Sequence, residues 1–451
     1  MNMSGSVTAT IATERGRQPL FDRQHMFAAA TQWAGRGSVA LSEQALFAGG
    51  NFVLNIALAV TIPAAGYGAF VFAFTMFTIV AGFHNALILE PATVLRTTLY
   101  DAHPRSYCRA QVILHACVMV VLAGALGLIG VLLSMTGANV PIGQAMIAAA
   151  CASPFILLHW MGRRFLYVLR RPATALAGSA VYLSFIATST LIARANHWLS
   201  PVVGFTILGS ASAFTAIFLL ACAGVFGRDT GSNRPRLVEL AIERWSYGRW
   251  LIGSVCIESA IVPGLTLLTT LMIGLSAVGV LRAMQIFVVP AGHTVTAISA
   301  LVLPALARDY QHGRFGALRD KTTRVLLVII AGAVVFEVAL ALLHTPLEHL
   351  VYGRKFAQFA FLIPIVGGAA LLDGTAATYS MLLSAVQRPR LQLISVAVTV
   401  PVTLISGVVF ISLWGITGAA LASLMTATAS VAIRRRLAQP WLRAPVSAAA
   451  S

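Results

Sequence analysis

Arginine alternates along this chain. Twelve long apolar stretches are separated by connections that are by turns rich in arginine and nearly free of it. The stretches fall at about 42–63, 67–89, 109–133, 141–161, 173–193, 200–226, 250–274, 283–305, 324–344, 358–384, 391–413 and 415–433. Each has the ~20 residues a helix needs to cross ~30 Å of hydrocarbon. Helix is the expected form, because lipid leaves every backbone N–H and C=O to be satisfied within the segment. The alternating, roughly ten-residue pattern of a membrane barrel is missing. Of the 31 Lys and Arg, 27 lie before the first stretch, after an even-numbered one or after the last. Only Arg194, Arg354 and Lys355 fall on the other side, and Arg282 sits at the mouth of the eighth stretch. By the positive-inside rule the 27 face the cytoplasm, and so do both ends of the chain.

The expected fold is therefore an all-α, polytopic membrane protein. Its parts would be an N-terminal tail over 1–41, six spans over 42–226, a linker over 227–249, six spans over 250–433 and a C-terminal tail over 434–451. The N-terminal region is polar and has no apolar run before a cleavage site, so it reads as an uncleaved tail. Its segment Phe21–Trp33 is either a short interfacial helix or disordered.

A mean hydropathy of +0.84, with 58% hydrophobic and 10% charged residues, excludes an ordinary soluble globule. The net charge of +17 is divided among short loops beside apolar spans. Orientation and anionic lipid explain it, and a nucleic-acid face does not. Cys108, Cys117, Cys151, Cys222 and Cys256 are scattered without CxxC spacing and read as packing residues. No Walker A sequence, nucleotide fingerprint or HExxH occurs, so neither cofactor, metal nor enzymatic activity is expected.

The two sets of six spans look related. Tyr67-Gly68 corresponds to Val278-Gly279, Pro91 to Pro304, and Arg96 to Arg308, at offsets of 211, 213 and 212 residues. Arg170-Arg171-Pro172 resembles Gln387-Arg388-Pro389 at an offset of 217. An even number of spans per half makes these parallel repeats about an axis along the membrane normal, with a cavity at their interface.

Several stretches resemble a known family. Gly49-Gly50-Asn51-Phe52-Val53-Leu54-Asn55, with Tyr67-Gly68 and then Asn85 through Glu90-Pro91, is similar to the start of the polysaccharide and O-antigen flippases of the multidrug/oligosaccharidyl-lipid/polysaccharide (MOP) superfamily. Val280-Leu-Arg282-Ala-Met-Gln285 through Pro290 to Leu303-Pro304 resembles that family's eighth span. Tyr352-Gly353-Arg-Lys355 and Gly415-Ile-Thr-Gly418 fit as well. The resemblance implies two six-helix lobes around a water-filled cavity open alternately to each side. It also implies a substrate, an oligosaccharide on a polyprenyl diphosphate, moved across a bacterial inner membrane. Membrane lipids, a polysaccharide polymerase and export machinery are the implied partners.

Ionisable groups inside spans cost about 2.5–3.5 kcal/mol on insertion scales and usually face a cavity or a partner. Here they are Glu43, Glu90, Glu258, Arg282, Glu337 and Asp373. Arg282, at the start of span eight, either grips the diphosphate bidentately or snorkels to the interface. Glu258 lies near mid-depth in span seven, ahead of a helix-breaking Pro263, and is either a coupling carboxyl or a packing one. Asp373, beside Gly367, Gly368 and Gly374, is expected to pair with Arg282 or with a coupling cation. Glu337 reads equally as a lone carboxyl against a neighbouring helix. Glu90 and Arg96 around Pro91 read as a helix-end fixture. Asn51 and Asn55 share one face of span one and either line the cavity or bond a neighbouring helix. His84 with Asn85, and His293, occupy corresponding places in the two halves; histidines facing each other there bind sugar hydroxyls or a proton, or else are satisfied core residues. Arg163, Arg164, Arg171 and Arg388 flank the cytoplasmic mouth, as lipid-diphosphate attractors or as plain topology determinants.

Two transport readings are thus open, a lipid-linked oligosaccharide flippase and a cation-coupled drug exporter with Glu258 as the coupling group. A transferase or polymerase is disfavoured because the longest extracytoplasmic connection, about 345–357, carries no catalytic cluster.

Overall fold

Apolar runs set where this chain is helical, and proline, glycine and asparagine set where it turns. The computed structural model describes residues 23–91, 104–137, 140–169, 171–227 and 237–443, and every regular element among them is helical. Helix α1 (Arg23–Thr61) stops before Pro63, which has no N–H to continue the ladder, and α2 (Ala64–His84) starts directly after it. α2 runs without interruption into a π turn at Asn85–Leu89. Then come α3 (Pro104–Met135), α4 (Val140–Val168), α5 (Pro172–Ala195) and α6 (Pro201–Cys222). The last two carry proline in the first turn, where the missing N–H is harmless, and Ser200 caps α6 by accepting from the Val203 amide at 3.2 Å. The second half holds α7 (Leu237–Ser259), α8 (Val262–Met272), α9 (Leu275–Gln285), a 3₁₀ turn (Ile286–Val288), α10 (Val289–Gln311), α11 (Phe315–Tyr352), α12 (Leu362–Ala385) and α13 (Pro389–Arg443).

Eleven helical stretches among the described residues are long and apolar enough to cross a membrane. The last, Arg390–Leu442, has 53 residues and is broken at Gly415, whose φ of 56° and ψ of −128° no helix contains. The expected boundary at residue 414 falls at that break.

Other boundaries move, each for a physical reason. α1 begins 19 residues before the expected span start, because nothing between Arg23 and Leu41 breaks a helix. Residues 237–249, expected as linker, form the first turns of α7. The eighth span begins at Leu275, just after Gly274 with φ 108°, so Arg282 is not at its start but in the last turn of α9. Seven residues place it about 10 Å farther along the span than expected. Pro304 does not close that span; it lies inside α10. The chain continues helical through Arg443, which draws Arg434, expected in the tail, into α13. Arg96, Arg170 and most of the expected linker lie outside the described residues.

Helices of the first half pack as α3 on α4, α4 on α6, and α1 on α5, while in the second half α10, α11 and α13 pack on α12. Between halves the main contact is α2 against α9, with the π turn against α7. Rings of α2 also pack within the first half, Phe70 4.7 Å from Phe205 of α6 and Phe77 6.0 Å from Trp160 of α4. At the α2–α9 crossing the backbones touch. A Cβ on Gly68 would run into the Leu275 carbonyl, and one on Gly279 into the Ala64 carbonyl. The two glycines are 211 residues apart, and so are the two residues whose carbonyls they meet, an offset at which the sequence halves align.

Candidate functional site

Hydrogen bonds between distant turns show which helix ends lie together. Arg109, at the start of α3, donates to the carbonyls of Val225 and Gly227 after α6, and Arg171 donates to the Cys222 carbonyl at 3.0 Å. These arginines satisfy the orphan carbonyls at a helix C-terminus. At the opposite end Lys355, in the turn after α11, donates through Nζ to the carbonyls of Ala59, Val60 and Ile62 at the end of α1. Partial burial pushes the Lys355 ammonium below the usual lysine range.

Both ends are closed across α2. At the Lys355 end the closure is the glycine crossing just described. At the arginine-rich end Gly248 of α7 lies against the Ala86 carbonyl, and Arg244 donates to the Ile88 carbonyl (2.8 Å) and to the Tyr107 hydroxyl (2.6 Å).

Several charged side chains of the two halves lie within electrostatic reach of one another. The Asp373 side chain of α12 is solvent-accessible. Arg434 of α13 interacts electrostatically with both Asp373 and Glu258 of α7, and none of these closes into an ion pair. Glu90, just past the π turn, interacts across the seam with Glu258 and within the first half with Arg164 of α4. Toward the other end Arg282 is half-buried and lies within electrostatic reach of Tyr67 and Tyr352. Arg164, Arg282 and Arg434 make no hydrogen bond or ion pair with any described residue. An interior with guanidinium donors left open can take an anionic group, and the carboxylates beside them can take a cation.

Other residues singled out in the sequence are engaged elsewhere. Asn51 accepts from the Tyr182 hydroxyl (3.1 Å), and Asn55 from the Tyr67 hydroxyl (3.2 Å), so both tie α1 to its neighbours. Arg163 grips Glu43 with two hydrogen bonds, at 2.6 and 2.9 Å, and the same carboxylate accepts from Tyr167 and Ser179. His84 is fully buried and bonds His115 at 2.8 Å, and so does not face His293. His115 Nε2 must donate to the Pro154 carbonyl (3.1 Å), so its Nδ1 accepts from His84 Nε2. Asn85 opens the π turn and reaches Glu90 at 3.4 Å. His293 lies half-buried on α10, and Arg388 is exposed in the turn before α13. Glu337 of α11 presses an unpartnered Oε2 against Gly367 of α12. Asp373 faces Arg434, not Arg282, as its interacting cation.

Sequence reasoning missed Arg434 and Arg244. Arg434 opens the run Arg434-Arg435-Arg436, and its signal was that no residue between Ile416 and Arg434 stops a helix. Among the described residues no group of three or more His, Cys, Asp or Glu is placed to hold a metal ion.

These helices and their apolar faces define a multi-pass membrane protein. Its fold is that of the MOP superfamily transporters. Lipid II flippase MurJ in an inward closed conformation superimposes with a TM-score of 0.67 over 92% of this chain and 87% of that one, at 13% identity. An inward-facing multidrug resistance MATE family transporter gives 0.70 over 90% and 98%, also at 13% identity. A point mutant of the Vibrio cholerae MATE transporter VcmN gives 0.63 over 91% and 98%, at 13% identity. No protein-family model matches the sequence, and no curated protein matches it.

Proposed function

We propose that this chain is a flippase that carries an oligosaccharide on a polyprenyl diphosphate across a bacterial inner membrane, for exopolysaccharide or O-antigen assembly. In this reading twelve spans form two six-helix lobes, with both chain ends cytoplasmic and the arginine-rich end facing the cytoplasm. Alternate opening of the two ends moves the headgroup through the charged interior. The observation that carries the reading is a set of three guanidinium groups, Arg164, Arg282 and Arg434, that make no hydrogen bond or ion pair with any described residue. A diphosphate offers paired oxygens to such groups. Likeness in fold to a lipid II flippase supports a lipid-linked substrate.

Glu258 and Asp373 favour a second reading, cation-coupled export of a drug-like cation, which the likeness to MATE transporters also supports. The two separate in inverted membrane vesicles. Translocation of a lipid-linked oligosaccharide by the wild-type chain, reduced in Arg282→Ala at equal expression, supports the flippase. No translocation above empty vesicles, together with proton-dependent efflux of a cationic dye, replaces it with the exporter.

A further inference from the structure

Proline 63 leaves a gap in the hydrogen bonding of α1. The Ala59 carbonyl would ordinarily accept from the amide four residues on, but that residue is proline and has no N–H. Lys355, 292 residues farther along the chain, supplies the missing donor. Its three N–H groups meet three carbonyls, Ala59 (2.6 Å), Val60 (3.2 Å) and Ile62. The negative end of the α1 dipole favours the same ammonium.

The lysine is held in place for this. Gly353 and Arg354 both adopt left-handed backbone angles, φ 58° and 71°, which fold the turn back on α11. The fully buried Glu348 accepts from the Phe356 amide at 2.8 Å, and Tyr352 donates to the Ala283 carbonyl of α9 at 2.8 Å. Lys355 is therefore fixed to the second half of the molecule and grips the first. At the other end Arg244 does the same: fixed on α7, it grips the Ile88 carbonyl and Tyr107 of the first half.

We propose that Lys355 and Arg244 are opposed latches, each holding one end of the seam between the halves closed, and that transport requires their release in turn. The Lys355 latch grips only main-chain carbonyls at a helix end, whereas the Arg244 latch grips one carbonyl and the Tyr107 hydroxyl. The proposal rests on the alternating-access reading above.

Spin labels test it on the full-length chain with its five cysteines replaced by alanine. One pair, at Met135 and Leu350, spans the Lys355 end; a second, at Leu41 and Gln311, spans the arginine-rich end. All four sites are exposed. Distances are measured by double electron–electron resonance without substrate. Lys355→Met is expected to lengthen the first distance and leave the second, with the open-to-closed ratio raised about tenfold, within the usual range of coupling. Arg244→Met is expected to lengthen the second and leave the first. Should Lys355→Met fail to fold, Lys355→Gln keeps one N–H donor group and gives the same shift at smaller amplitude. Unchanged distances in the Lys355 variants, or equal lengthening at both ends from either substitution, overturns the proposal. A selective shift in a protein that moves no lipid-linked oligosaccharide keeps the latches and discards the flippase.

Discussion

Gly279→Ala tests the seam at its tightest point. The new methyl would lie 2.9 Å from the Gly68 amide nitrogen and closer still to the Ala64 carbonyl oxygen. A carbon meets such an oxygen at roughly 3.3 Å, so α2 and α9 must part by about 1 Å. Neither clashing group can turn aside, since both belong to helical backbone. Overpacking of this kind costs about 1–3 kcal/mol, which divides the closed population by roughly 5- to 150-fold at 1.4 kcal/mol per decade. The strain is absent once this end opens, so the substitution acts on the conformational equilibrium more than on folding. Hydrogen–deuterium exchange reads it directly: amides of 64–70 and 275–282 should exchange faster by about that factor, while those of α4 and α12 stay unchanged. Gly68→Ala meets the Leu275 carbonyl and should act the same way. The double variant should cost much less than the sum, because parting the helices for one methyl makes room for the other. Exchange at wild-type rates in both single variants, or strictly additive effects, would refute the reasoning.

Three further outcomes are expected. Arg163→Ala leaves the Glu43 carboxylate buried without its ion-pair partner and should lower stability by about 3–5 kcal/mol, seen as a lower melting temperature in detergent with little effect on substrate KM. Asn55→Ala removes one interhelical hydrogen bond and should cost about 0.6–1.7 kcal/mol, again without a selective loss of transport; a transport defect at full stability would return Asn55 to the substrate path. Arg434→Gln and Asp373→Asn should each slow translocation, and combining them should do little more than either alone, because each removes the same electrostatic interaction; independent, multiplicative losses in the vesicle assay would separate the two residues.

Much of the membrane layout was legible because it depends on local quantities. Run length fixes the spans, and Gly415 and Pro63 mark real breaks. The misplacements also have local causes: Arg282 reads as a span start by its charge, although arginine is a good helix former and the true stop is Gly274. The interior was harder to read. His84 and His293 align in sequence, but His84 meets His115 because α3 packs beside α2, a contact no spacing within α2 encodes. Asn51 and Asn55 share a helix face as expected, and only tertiary packing shows that tyrosine hydroxyls occupy them. Arg434 was hidden by its neighbours, since three consecutive arginines at a span end look the same whether the helix stops there or continues.

At the crossing of α2 on α9, Gly68 on Leu275 and Gly279 on Ala64 form one contact made twice, each partner presenting to the other the patch it receives. That is the isologous geometry of a symmetric homodimer. Within one chain it makes the two glycines a single constraint, since a side chain admitted at either one parts the helices for both.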